Sequence, residues 1–273
     1  MTDLTISDAT RSSVLLLQRV ADVRGTASQR LATGLRVGKA TDEPAAFFQA
    51  QGLRARVRDL LTVKDTIGQA ESAVETALIG GEAIEALAQQ LKGIALSVRG
   101  GTESERQAAA QQFDVIREQI DALANDASYS GTALLTSSSN SLNVPFHPGS
   151  SSALNVEGQA SNTAGLGIGS AIAEHGNFKT DTDISNALSQ VNSAISTLRS
   201  QSSSLGIDVS VLAARESFTT DLVGTLDNGA AKLVNADLNE EGARLLSTEV
   251  RQQLGIEGLR IAGRSETLLA SII

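Results

Sequence analysis

Residues Leu233 to Ile273 read "LVNADLNEEGARLLSTEVRQQLGIEGLRIAGRSETLLASII". After the break at Asn235 to Asn239 the segment is a run of helix-favouring residues. Leu246, Val250, Leu254, Ile261 and Leu268 follow one another at whole helical turns, and Leu269 and Ile273 carry apolar character to the last residue. Last residues ordinarily fray into water, so an apolar helix here needs a cover. The other end supplies a counterpart. Val14, Leu17, Ala21, Leu31 and Leu35 are separated by steps of three and four or their sums, and Leu16, Val20, Val23 and Ala27 form an adjoining stripe. The two stripes are expected to cover each other. A two-helix ribbon still leaves apolar edges, so further copies of the chain are expected to complete the cover.

Between these ends the pattern stays helical and then changes. Gly34 and Gly38 interrupt the first helix, and Thr41 or Asp42 is expected to cap a second, with Pro44 in its first turn. That helix runs past Gly80-Gly81 to a loop at "RGGT", where Thr102 and Glu105 have the spacing of a capping box opening a third helix. The stretch 128–181 is rich in Ser, Gly and Asn. Leu142, Val144 and Phe146, then Leu154 and Val156, alternate with polar residues around "HPGSS", which predicts a short β-hairpin. Helical periodicity returns near Thr182 and about fifty helical residues span on the order of 75 Å.

Composition narrows the function. The 273 residues are 41% hydrophobic but only 3% aromatic, with no Trp, so small aliphatic side chains must fill narrow helix–helix seams. The net charge of −9 argues against a nucleic-acid backbone or an anionic membrane as partner. With no cysteine there is no disulfide, thiolate metal site or thiol nucleophile. No run approaches the roughly 18 apolar residues of a membrane span. Val14 to Leu17 is too short for a signal-peptide core, so secretion would have to proceed without a cleaved signal.

No catalytic constellation is visible. His147 and His175 fall in the polar middle, where a lone loop histidine reads as a solvated side chain. "GLGIGS", Gly165 to Ser170, lacks the third glycine of a dinucleotide loop and reads as a flexible connection. Glu240 and Glu241 follow Asn239 at a helix start, where negative charge complements the helix dipole. No enzyme activity, cofactor or metal is expected.

The ends also carry a family resemblance. "SQRLATGLRVGKATDEPAAFFQAQGLRARVRDL", Ser28 to Leu60, resembles the Arg-Leu-Ser-Ser-Gly-Leu-Arg-Ile stretch and following helix start of bacterial flagellins. Leu233 to Ile273 is similar to that family's Asp-(Met/Leu)-(Asn/Asp)-Glu-Glu-Ala turn, Gln-Gln-Leu-Gly and apolar tail. "DASYSGTALL", Asp126 to Leu135, is similar to its Phe-Asn-Gly-Thr region. The resemblance implies a subunit that polymerises into the flagellar filament for swimming. It implies export by the flagellar type III apparatus, an extracellular location, and an export chaperone, a filament cap and hook–filament junction proteins as partners. Gln90 and Gly93 stand where well-studied members carry the Arg and Glu of their innate-immune recognition stretch. "TDEPAA" also resembles the hook–filament junction protein, which is the alternative reading, with an intracellular coiled-coil scaffold behind it.

The expected fold is mainly α: long antiparallel helical rods forming a coiled-coil bundle, with a small β-hairpin insert in the middle. Residues 1–44 and 233–273 are expected to form a terminal coiled-coil domain lining the filament, and 45–232 a helical bundle that includes the 128–181 insert. The residues expected to bury against other copies are Val14, Leu17, Ala21, Leu31, Leu35, Leu246, Val250, Leu254, Ile261, Leu268, Leu269 and Ile273.

Overall fold

A computed structural model describes residues 8–149 and 152–270. Six helices and one hairpin follow in the order α1 (Asp8–Thr33), α2 (Pro44–Ser97), α3 (Glu103–Asp126), β1 (Ser141–Pro145), β2 (Ala153–Glu157), α4 (Thr163–Leu166), α5 (Asp181–Val234) and α6 (Leu238–Ala270). The chain forms two compact units. One is made of residues 1–56 and 225–273, the other of 57–224, and the divisions fall inside α2 and α5 rather than in loops. Among the described residues no helix is long and apolar enough to cross a membrane.

The 57–224 unit is a helical bundle with a capped end. Ile67, Val74, Ile84 and Leu91 of α2, Phe113 and Ile120 of α3, and Ile184, Val191, Leu198 and Leu205 of α5 are fully buried in one continuous core. Arg199 reaches Glu85 at 2.8 Å and Lys64 reaches Glu216 at 3.8 Å, which sets α2 and α5 antiparallel. Helix α2 is unbroken through Gly80, whose missing side chain has a packing reason. A Cβ there would lie 2.6 Å from the Cβ of Ala127 and 2.8 Å from Cδ1 of Leu135. Gly80→Val is expected to destabilise this unit by about 1–3 kcal/mol through overpacking, read as a lowered thermal midpoint with helical content retained.

The predicted capping box is present at α3. The Thr102 backbone N–H and hydroxyl both donate to Oε2 of Glu105 at 2.8 Å, and the Glu105 N–H donates back to the Thr102 hydroxyl. Thr180 and Asp183 make the same exchange at the start of α5. These bonds favour the ionised carboxylates, so Glu105 is held below its ordinary value by the Thr102 backbone N–H and then its hydroxyl. Asp183 is likewise lowered, first by the Thr180 hydroxyl. A lowered carboxyl contributes stability that is present above its ordinary pKa and lost as pH falls through the folded value. The variant Glu105→Gln/Asp183→Asn should therefore lose less stability than the parent on acidification below 4.5, the higher of the two ordinary values, in a urea titration series.

Strands β1 and β2 pair antiparallel, with Leu142 opposite Val156 and Val144 opposite Leu154. Val144 and Val156 point into the core, as the alternation predicts. Ahead of the hairpin, Tyr129 and Thr132 exchange backbone bonds across Ser130 and Gly131, both at positive φ. Two successive positive φ angles make this a tight reverse turn, with glycine at its second corner.

Residues 158–180 correct the expectation of a flexible loop at "GLGIGS". They form a strap pinned to α3 by two carboxylates. Asp121 accepts from the backbone and hydroxyl of Thr163. Asp114 accepts from the Ser170 hydroxyl and the Ala171 N–H. His175, expected in solvent, is 5% exposed, with Nε2 2.9 Å from Oε1 of Gln190. The strap ends in a short helical turn at Gly176–Phe178, where Asn177 and Phe178 both adopt positive φ. That backbone is costly for bulky residues. It is offset here by full burial of Phe178, whose ring meets Phe113 edge-on at 5.5 Å.

Candidate assembly surface

The other unit is built on α1 and α6, which pack along their lengths. Arg30 Nη1 meets Oε1 of Glu241 at 2.9 Å, Arg24 Nη1 donates to Oε1 of Gln252 at 2.8 Å, and Leu17 faces Gly255. These three pairs run in opposite directions along the two helices, so the pair is antiparallel. On α6 the residues turned inward are Glu241, Leu245, Thr248, Gln252, Gly255 and Leu259, spaced four, three, four, three, four. On α1 they are Leu17, Val20, Ala27 and Arg30, with Val20 and Ala27 buried. Seven-residue spacing keeps a seam aligned between two wound helices. Gly255 lets the helices come close, since a Cβ there would come 2.7 Å from Cδ2 of Leu17.

This seam is not the expected one. The Leu246, Val250, Leu254 and Ile261 stripe does not cover α1; it lies on the opposite side of α6 and is exposed, Leu246 at 66% and Leu254 at 68%. Glycine, glutamine, threonine and a carboxylate hold inward positions that an apolar search passes over. Of the α1 residues, Val14, Ala21 and Leu31 are exposed, and Leu17 is half-buried in the seam. Leu35 is half-buried elsewhere: it bridges to Asn235 and packs on the small core of Val37, Ala46, Ala50, Ala230 and Val234. Leu268 and Leu269 belong to α6 with their side chains outside the described residues, and Ile273 lies outside them altogether.

The two acidic residues expected to serve the start of α6 part company. Asp237 makes the cap, its Oδ1 accepting from the N–H groups of Asn239 and Glu240. Glu240 pairs with Arg244 one turn on at 2.8 Å. Glu241 is 5% exposed and links α6 to Arg30 of α1, a role invisible without the partner helix. Likewise Asp42 does not cap α2; its carboxylate accepts from the N–H groups of Gly38 and Lys39 and tightens the 34–43 loop.

The unit therefore carries apolar side chains on both sides of α6, one side closed by α1 and the other open. An exposed apolar strip of this length is uncommon on the surface of a monomeric soluble protein. Residues 11–140 match the model of the bacterial flagellin N-terminal helical region. Flagellin FljO of Caulobacter vibrioides is 28% identical over 246 residues, 89% of this chain and 88% of the relative. A flagellin of Brucella melitensis is 28% identical over 271 residues, 96% of each chain. The matched helical region and these relatives, which span most of the chain, are all bacterial flagellins and support that reading here.

The likeness supports a structural protein, a subunit of the flagellar filament, and the flagellin family is one of self-polymerising filament subunits. The fold is shared more widely. A solved chain assigned as a flagellar hook-associated protein of Vibrio parahaemolyticus superposes with a TM-score of 0.60. It covers 71% of this chain and 100% of its own, at 12% identity, so that likeness is one of architecture alone.

Proposed function

We propose that the open strip of α6, Leu246, Val250, Leu254 and Ile261, together with Val14, Ala21 and Leu31 of α1, is buried between copies of this flagellin in the filament. Leu17 and Leu35 support that surface from within the subunit. In this reading residues 1–44 and 233–273 form the inner layer of the filament, and 45–232, with the 128–181 insert, the outer layer. The observation that carries the reading is a row of large apolar side chains at helical spacing on the side of α6 away from its own partner helix.

The subunit reaches that position through the flagellar export apparatus, escorted by an export chaperone and added beneath the filament cap onto hook–filament junction proteins. Its final location is extracellular. The absence of cysteine suits a chain that travels unfolded, since no disulfide can close on the way. Shearing motile cells and measuring the intact mass of the filament protein tests this. The reading requires this chain in the sheared fraction with its N-terminal region uncleaved by a signal peptidase. Retention in the cell body with none in sheared filaments would overturn it.

A further inference from the structure

The 158–180 strap ends on a turn that its own residues disfavour. Asn177 and Phe178 stand in succession at φ 57°, a backbone that residues with a side chain rarely adopt. One side chain reaches this turn from α3. Arg106 is 12% exposed and directs its guanidinium to three segments at once. Its Nη1 donates to the carbonyl oxygens of Phe178 at 3.4 Å and Lys179 at 3.0 Å. Its Nε donates to that of Gly101 at 3.1 Å, and its Nη2 to Oδ1 of Asp181 at 2.6 Å. The loop before α3, the end of the strap and the first turn of α5 are thus tied at one point. Only a planar group with several fixed donors can serve all three.

We infer that Arg106 is the latch of a two-state strap, holding the Gly176–Phe178 turn in its strained form with Phe178 inside the core. Strained backbone persists only where the surroundings over-determine it. Here the surroundings are the Arg106 fork on one side of the turn and the edge-on contact of Phe178 with Phe113 on the other. The sign of φ sets the direction in which a side chain leaves the backbone. The turn therefore keeps Phe178 against Phe113 only while the left-handed form is held, and a turn relaxed to negative φ carries the ring out. The anchors at Asp121 and Asp114 hold the strap as far as Ile172, whose N–H also reaches Asp114 at 3.2 Å. Opening is thus confined to residues 173–180, while the core of α2, α3 and α5 stays closed. Local opening of this kind, below the cost of global unfolding, is read by amide exchange.

Hydrogen exchange on the full-length chain tests the latch. The amides of Glu174, Asn177, Phe178 and Lys179 all bond within the strap, and residues 84–95 of α2 serve as the core reference. In Arg106→Gln the strap amides should exchange at least tenfold faster, with the reference unchanged within twofold. Equal acceleration in both places would make Arg106 an ordinary part of the core and overturn the inference, as would no acceleration in the strap. Arg106→Lys keeps the charge but not the fork and should open the strap nearly as much. Parent-like protection in that variant would show that charge alone holds the turn, which contradicts the latch. Glycine takes positive φ without strain, so adding Asn177→Gly to Arg106→Gln should slow exchange of Glu174, Phe178 and Lys179 at least threefold. No slowing would mean that strain at this turn does not drive the opening.

Discussion

Leu254→Asp is expected to leave the monomer folded and stop it from joining a filament. Leu254 is 68% exposed in the single chain, so the substitution removes no packing there, and surface changes of this kind fall within about 0.5 kcal/mol. In the proposed filament contact the same position faces another copy, and an unpaired carboxylate would be taken out of water. A cost on the order of 3 kcal/mol per subunit raises the concentration needed for growth about 100-fold. Measured together, the monomer's urea midpoint should be unchanged and the critical concentration for seeded growth should rise. Acidification should lower it again, because protonation removes the introduced charge. Ile261→Asp should behave alike.

Phe113→Ala is expected to have the opposite signature, a large loss of monomer stability. Phe113 is fully buried, central to the core of the 57–224 unit, and meets Phe178 edge-on. Deleting the ring should cost about 3–5 kcal/mol through lost burial and the cavity left behind. For a unit of this size that lowers the thermal midpoint by roughly 10 °C. The double variant Phe113→Ala/Phe178→Ala should cost less than the sum of the singles, by about 0.5–1.5 kcal/mol for the ring pair. An additive result would mean that the ring contact adds nothing beyond burial.

Much of this architecture was legible because its signals are local. The capping box needs only Thr102 and Glu105 three apart, and the hairpin needs only alternation around a Pro-Gly turn. What escaped depends on contacts between distant residues. Gly80 looks like a weak point in a helix until Ala127 and Leu135 are seen against it. Asp114 and Asp121 look like solvated α3 residues until the strap is seen to hang from them. The α1–α6 seam was missed because its inward positions include Glu241, Thr248, Gln252 and Gly255. Hydrophobicity instead marks Leu246, Val250 and Leu254, on the side turned away from α1. The same pattern thus located the open surface while misplacing the closed one.

Chemical labelling of that open surface tests the assembly account most directly. Leu246→Cys places a lone thiol at a position 66% exposed in a chain that otherwise has none. Its reaction with a maleimide should be fast in the monomer and at least tenfold slower in the seeded filament, with both forms denatured afterwards to confirm equal total thiol. Equal labelling rates in monomer and filament would contradict the burial of the α6 strip between subunits.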